Sequence, residues 1–308
     1  MIKLIIQIPC FNEASTLPLV LADLPQQIDG VDCIETLVVD DGSQDGTADA
    51  ARRLGVNHVV SHRVNRGLAA AFATGLAESL RQGATLIVNT DGDHQYPGRF
   101  VSDLVQPILC GRADVVIGNR SPELDRRNGL TKRWLYCFGR KIVGGIVGKQ
   151  IPDPVSGFRA YSATCAHQMH IVTTYSYTIE SLVQCIEKGF ALEFVSIATN
   201  APTRPSRLFR SHASFVFRSA TTLLRVFFMF HPLKTLAWLS GLLAAVGAIP
   251  IIRFLLFYLL GKGDGHLQSL VLGASLLVLS AIVLVAGLLA DLIAQNRRLL
   301  EKIQQIEH

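Results

Sequence analysis

Two apolar stretches, 233–260 and 267–290, constrain this chain of 308 residues more than anything else in it. Each can cross a hydrocarbon core about 30 Å thick as a helix, and two adjacent runs of that length exceed what buried helices of a soluble core need. Only Gly261 to His266 separate them, so they are expected to fold back on each other as a hairpin. Arg253 interrupts the first stretch toward its far end, either snorkelling to headgroups or meeting a lipid phosphate. Basic residues flank the pair, with Arg225 and Lys234 before it and Arg297, Arg298 and Lys302 after it. By the bias of cationic flanks toward the cytoplasm, both ends are expected there, and so is everything that precedes the hairpin.

The 49% hydrophobic content is therefore uneven, collecting after about residue 230 and leaving the first two hundred residues with the composition of an ordinary soluble domain. Charge is uneven too. The formal +5 and the pI near 9.0 trace largely to the stretch between Glu193 and Asp264, which has no acidic residue but contains Arg204, Arg207, Arg210, Arg218, Arg225 and Lys234. Placed beside apolar spans, these cations suit anionic headgroups or phosphates. They are not interleaved with aromatics on a soluble surface, so nucleic acid is not an expected partner. Six scattered cysteines show neither a C-x-x-C pair nor metal-ligand spacing and read as buried thiols of a reducing compartment. The amino terminus turns polar too soon for a secretory signal and reads as a first strand.

Short apolar runs at 4–8, 36–39, 58–61, 85–89 and 115–117 alternate with helical patterns. Over 67–81, Leu68, Phe72, Leu76 and Leu80 recur at helical spacing, and Pro97 stands where the next helix would begin. Such alternation predicts an α/β domain with a mostly parallel sheet, whose ligand sits on loops at the carboxyl ends of the strands. Further basic helices are expected over 128–147 and 207–228. On the second, Arg207, Arg218 and Arg225 fall within about 20° of one another, as on a helix lying in a membrane interface. The expected order is a soluble domain at 1–200, a juxtamembrane amphipathic region at 201–232, two spans within 233–292, and a cytosolic tail at 293–308.

Asp91-Gly-Asp93-His-Gln95 follows the strand ending at Asn89. Two carboxylates two residues apart on a turn can converge on a divalent cation that neutralises a diphosphate, although a lone D-x-D is a common acidic turn. A second acidic turn, Asp40-Asp41-Gly42-Ser43-Gln44-Asp45-Gly46-Thr47, also ends a strand. Its carboxylates can accept hydrogen bonds from a base or ribose; equally, it can be an Asx-type turn with Gly42 and Gly46 at positive φ and Asp45 or Thr47 capping a helix. Around Gly148-Lys149 a P-loop is only superficially matched, since Val143 and Gln150 replace the first glycine and the final Ser or Thr.

The order Pro9-Cys-Phe-Asn12-Glu13, Asp40-Asp41-Gly-Ser-x-Asp-Gly-Thr, Asn65-x-Gly67, Asp91-x-Asp93-x-Gln95 and Ser156-Gly157-Phe158-Arg159 resembles the family-2 glycosyltransferases of the dolichol-phosphate mannose synthase type. The resemblance covers about residues 1–230, and the hairpin is similar to that of the polyprenyl-phosphate glucosyl- and mannosyltransferase branch. It implies a GT-A fold, a Rossmann-like domain with a mostly parallel sheet, followed by interfacial helices and the hairpin. It implies donor contacts at Pro9, Asn12, Glu13, Asp40 and Asp41. Mg²⁺ or Mn²⁺ would be held at Asp93 and Gln95, with Asp91 beside them on the ribose or donor sugar. Arg120 and Arg133 match positions that meet the acceptor phosphate, as does Cys137, where the family has serine, and Ser156 is grouped with them. Arg204 and Arg207 match a basic pair expected to act in catalysis with Asp91 and Asp93.

The implied reaction moves a hexose from a UDP- or GDP-sugar to dolichyl or undecaprenyl phosphate, in a single inverting displacement at a membrane. Oligomeric state stays open. Two alternatives share the motifs: a non-catalytic membrane scaffold, and a processive polysaccharide synthase. The synthase reading expects Q-x-x-R-W, whereas Arg133-Trp134 here follows Leu130.

Overall fold

The run from Leu4 to Cys10 lacks polar alternation, the pattern of a strand covered on both faces. In the computed structural model it is the centre of the sheet: β1 (Lys3–Cys10) is buried from Leu4 onward. The structure describes residues 1–120, 140, 144–145, 148–171, 177–200, 232–260 and 267–306, with side chains of the last helix described to residue 296. The helix expected over 207–228 lies outside the described residues, as does that over 128–147 except for Arg140, Gly144 and Gly145, which are helical. The chain divides into two compact units, residues 1–222 and 223–308.

In the first unit, β1 is joined by β2 (Cys33–Asp40), β3 (His58–Ser61), β4 (Leu86–Asn89), β5 (Val115–Asn119), β6 (Arg159–Ser162) and β7 (Leu192–Ser196). They form one seven-stranded sheet in the order β3-β2-β1-β4-β6-β5-β7. All neighbours are parallel except β6, which runs antiparallel to both β4 and β5. The helices between strands are α1 (Leu17–Asp23), α2 (Thr47–Arg53), α3 (Leu68–Arg81), α4 (Val101–Leu109), α5 (Ala163–His167) and α6 (Tyr177–Glu187). One face of the sheet packs Ile6, Ile8 and Val88 against Leu17, Val20, Val101 and Leu104 of α1 and α4. The other face buries Phe72 and Leu76 of α3 with Tyr161 and Tyr177.

The five expected strands and the helix over 67–81 are present, and Pro97 precedes a single 3₁₀ turn, Gly98–Phe100, that leads into α4. The expectation lacked β6 and β7. From β1 the chain builds outward through β2 and β3 on one side, then returns to place β4 on the other. That reversal opens a crevice at the carboxyl ends of β1 and β4, the position where open α/β sheets bind ligands.

The second unit holds α7 (Pro232–Leu259) and α8 (Leu267–Ile306). Over their apolar windows the two helices have mean hydropathies of 2.2 and 2.7 and are only 6% and 11% buried, whereas a helix of a soluble core would be mostly covered. Lipid is the solvent that such surfaces require, and this is a membrane protein. The helices touch through small residues: a Cβ on Gly273 would lie 2.7 Å from the Gly247 carbonyl oxygen, and one on Gly287 would lie 2.8 Å from Leu236 Cβ. Ser240 and Ser280 exchange hydroxyl-to-carbonyl bonds of 3.0 and 2.9 Å across the contact. These contacts pair ascending positions of α7 with descending ones of α8, so the hairpin is antiparallel, and close backbone approach replaces the hydrophobic drive that lipid removes.

At 28 residues α7 is about 42 Å long, some 12 Å more than the hydrocarbon core. Arg253, six residues from its end and with its guanidinium carbon 5.9 Å from the Phe257 ring centre, can therefore lie at the boundary. The tail expected at 293–308 continues α8 as unbroken helix to Ile306.

Candidate active site

Both acidic turns end at the same edge of the sheet. Pro9 at the end of β1 and Glu13 after it, Asp41 after β2, and Asp91 and Asp93 after β4 line one cleft of about 340 Å³ together with Asn65 and the start of α3. Asn12, Asp40 and Gln95 stand behind that lining. Asn12 takes a left-handed φ of 56° and its Oδ1 accepts the Gln44 N–H at 2.9 Å, bracing the β2 turn. Asp40 Oδ1 accepts the Ser43 N–H at 3.1 Å, closing a turn through Gly42, which has positive φ, as does Gly46 before α2. Asp45 accepts from the Thr47 N–H and hydroxyl, and from the Ala14 N–H, joining that turn to the β1 loop.

Asp41 is partly committed already. Its Oδ1 meets the Arg66 N–H at 2.9 Å and His62 Nδ1 at 2.7 Å, and its Oδ2 accepts the Gly67 N–H at 2.8 Å. The nearly buried His62 is gripped on its far side by Thr74 Oγ1 at 3.0 Å. Asp41 thus shapes the entrance of α3 while keeping lone-pair capacity on Oδ2 for a ligand donor.

Gly92 lies flat against the end of β1: a Cβ there would come within 2.8 Å of Cys10 Sγ and 3.3 Å of Glu13 Cγ. Thr16 Oγ1 is 2.8 Å from both Glu13 Oε2 and the Gly92 carbonyl, so one hydroxyl ties the β1 loop to the D-x-D turn. His94 holds φ at 58°, in the left-handed region that few residues other than glycine occupy. Asn200 maintains it, its Nδ2 donating to the His94 carbonyl and its N–H to that of Gln95, both at 2.9 Å. The Gln95 N–H donates to Asp93 Oδ1 at 3.1 Å.

Burial, then the Asp93 charge, push the Asp91 carboxyl up to about 7; Arg120 opposes the rise and Glu13 adds to it. This is the chemistry of a cation site. Among the described residues no three His, Cys, Asp or Glu side chains gather as a metal cluster. Two carboxylates with an amide nearby nevertheless fit Mg²⁺ or Mn²⁺, which take few protein ligands beside phosphate oxygens and water.

A consequence follows for pH. Asp91 ionises against burial and a neighbouring charge, so the cation-free fold loses stability as pH rises from the ordinary carboxylate range through about 7. A cation must displace that proton, so its affinity falls below pH 7. Thermal unfolding with and without excess Mn²⁺ should show a larger stabilisation at pH 8 than at pH 6. Equal shifts at both pH values would contradict the assignment.

Arg120 is clasped side-on by Asp153, Nε to Oδ2 at 2.8 Å and Nη2 to Oδ1 at 3.1 Å, and lies 5.8 Å from the Tyr96 ring centre. Burial raises the Asp153 carboxyl, but Arg120 more than offsets this, by charge and by hydrogen bonds, and holds it below the usual range. Ser156 is fully buried, its hydroxyl without a hydrogen-bond partner among the described residues. Arg133, Cys137, Arg204 and Arg207 lie outside the described residues. Arg159, the last residue of the S-G-F-R motif, is not at the cleft: it is a fully buried strut whose guanidinium donates to the carbonyls of Ser156, Thr178 and Pro154 and to Ser181 Oγ. His62, Asn89, Asp153, Tyr177 and Asn200 were not singled out from sequence. Only Asn89, a lone amide at the end of an apolar strand, carried a local signal.

Residues 5–168 match a protein family described as Glycosyl transferase family 2, more than half of the chain. Polyprenol monophosphomannose synthase of Mycolicibacterium smegmatis is 28% identical over 213 residues, covering 63% of this chain and 76% of that protein. Dodecaprenyl-phosphate galacturonate synthase of Rhizobium johnstonii is 25% identical over 308 residues, 96% of this chain and 88% of that one, an alignment that takes in the apolar helices. Among solved structures, glucosyl-3-phosphoglycerate synthase from Mycobacterium tuberculosis, in complex with Mn²⁺, UDP-glucose and phosphoglyceric acid, superposes with a TM-score of 0.58 at 22% identity, over 73% of this chain and 79% of that one. At that identity the likeness is one of fold.

Proposed function

Because this chain belongs to glycosyl transferase family 2, we propose that it transfers a sugar from a nucleotide-sugar donor to a polyprenyl phosphate, on the cytoplasmic side of a membrane. The observation that carries this reading is the meeting of Asp41, Asp91 and Asp93 in one cleft of a chain that also has two lipid-exposed helices. The relatives named for polyprenyl-phosphate sugar transfer support it.

Pro9, Glu13 and Asp41 form the donor wall, with Asn12 and Asp40 holding its turn in place. Asp91, Asp93 and Gln95 are the residues that would hold Mg²⁺ or Mn²⁺, which when bound neutralises the departing diphosphate. The acceptor phosphate is anionic at neutral pH and needs no strong base. One of its oxygens attacks the anomeric carbon as the bond to the donor's β-phosphate oxygen breaks, giving the lipid-linked sugar and a nucleoside diphosphate with inversion. The remaining demand is to hold two phosphates together against their repulsion. Arg120 serves there, its side-on clasp by Asp153 fixing the guanidinium plane; Arg133, Arg204 and Arg207 would add charge, and Cys137 and Ser156 complete the residues assigned to the acceptor phosphate. Basic flanks, including Lys234 on α7, support a cytoplasmic enzyme domain with both termini on that side.

A panel of radiolabelled UDP- and GDP-sugars, each offered with undecaprenyl and with dolichyl phosphate, tests this directly. At least one pair should yield an organic-extractable sugar with a phosphate bridge. Label recovered only in water or in glycan polymer would overturn the reading.

A further inference from the structure

Beneath the D-x-D turn runs a chain of buried polar side chains that the reaction itself does not require. Gln7 on β1 and Asn89 on β4 face each other in register, and both are fully buried. Gln7 Nε2 donates to Asn89 Oδ1 at 2.9 Å. Asn89 Nδ2 spends its two protons on the Gly157 carbonyl at 2.8 Å and on Tyr177 Oη at 2.9 Å. The Tyr177 hydroxyl in turn donates to that same Gly157 carbonyl at 3.3 Å, and the Gly157 N–H donates to Tyr96 Oη at 3.3 Å. Gly157 is therefore held through both of its flanking peptides, by its N–H and by its carbonyl.

The Cα of Gly157 faces the carboxylate of Asp91. A Cβ on Gly157 would stand 3.1 Å from Asp91 Oδ1, 3.4 Å from Oδ2 and 2.8 Å from Tyr177 Oη, so glycine is the residue that admits the contact. The arrangement also reaches the donor side of the cleft. Phe72 of α3 stacks on Tyr177, ring centres 3.8 Å apart and planes within 7°, one residue beyond the cleft-lining Ala71. Apolar side chains would fill this interior without the penalty the network carries: Gln7 Oε1 is left buried without a partner. Buried polar chains of this kind specify a unique arrangement. What is specified here is the seat of Asp91.

We propose that Tyr177 and Asn89 are positioning residues, clamping the Gly157 carbonyl so that Gly157 backs the Asp91 carboxylate and presents it to the bound cation and donor. This rests on the reading of Asp91 and Asp93 as the cation site. Partners behind metal-holding groups typically change metal affinity or activity by about 10–100-fold when lost.

The test is Tyr177→Phe, which keeps the ring stacked on Phe72 and removes only the hydroxyl. Full-length protein in detergent is titrated with Mn²⁺ in the presence of UDP and, separately, GDP, free Mn²⁺ being read by electron paramagnetic resonance against protein-free blanks. The measurement is made at a temperature where both proteins are folded. The clamp predicts an apparent Mn²⁺ dissociation constant raised about tenfold. A role confined to packing predicts an unchanged constant, because the stack survives, and a constant within twofold of wild type would overturn the inference while leaving the cation site standing. Wild-type protein that binds no Mn²⁺ with either nucleotide would overturn the cation site itself, and the clamp with it. If Tyr177→Phe does not fold, Gln7→Met carries the same test, since it frees Asn89 Oδ1 from its donor without opening space and should weaken Mn²⁺ in the same direction.

Discussion

Asp93→Asn is expected to lower sugar transfer by at least about 10²–10³-fold, the scale on which removal of one preorganised electrostatic group acts, while leaving the unfolding temperature near that of wild type. The amide is nearly isosteric and keeps an oxygen to accept the Gln95 N–H, which Asp93 Oδ1 receives at 3.1 Å, so the turn should survive. The charge change should even relieve the fold, because the Asp93 carboxylate is among the causes that push its neighbour Asp91 up to about 7. What disappears is half of the negative charge offered to a divalent cation. Radiolabel transfer and thermal unfolding on the same preparation separate these effects. Activity within tenfold of wild type would remove Asp93 from the mechanism, and a collapse in unfolding temperature would make it a structural residue.

Arg159→Leu should have the largest effect on stability, about 3–5 kcal/mol, because each buried acceptor left unsatisfied costs about 1–3 kcal/mol and not all of them will stay unpaired. Its guanidinium is fully buried and meets three carbonyls and a hydroxyl at 2.8–2.9 Å. Leucine would leave those four acceptors in the interior unpaired or dependent on water. For a domain of this size the loss corresponds to roughly 10 °C in unfolding temperature. Arg159→Lys should recover little, since a single ammonium cannot replace a planar fork that serves carbonyls in different directions. Monitoring unfolding of the detergent-solubilised protein checks this, and a shift below about 2 °C would contradict the account of Arg159 as a strut.

These two residues mark the boundary of what could be read from the amino-acid order. The place of Asp93 at the cleft was legible because it depends on near neighbours: a strand, a turn, and a second carboxylate two residues away. Strands β1 to β5 were legible for the same reason, each being a short apolar run with turn residues at its ends. β6 was not, because it begins with an arginine that only a folded interior can accommodate. The carbonyls that accept from Arg159 belong to residues 154, 156 and 178, and nothing local announces that they converge. β7 is a half-buried partner of β5 alone, at the end of the sheet, and its run Leu192-Glu-Phe-Val-Ser196, broken by a charge and short, does not announce which strand it joins.

Asp41 shows the same limit within the site. The acidic turn was read correctly as lying at the sheet edge, but the hydrogen bonds that occupy Asp41 come from His62, Arg66 and Gly67, more than twenty positions along the chain. Its share in shaping α3 was invisible until those elements met. The hairpin was legible from length and hydropathy alone, whereas its register, set by Ser240 against Ser280 and Gly247 against Gly273, depends on which small residues face each other.

The central claim is that acids at the end of β4 serve a divalent cation during transfer to a lipid phosphate. Its most direct test uses purified enzyme, the donor and polyprenyl phosphate pair found active, and excess EDTA followed by Mn²⁺ or Mg²⁺ in stepwise addition. The account predicts that lipid-linked sugar formation stops in EDTA and returns with either cation. Undiminished formation of that product in EDTA would contradict it.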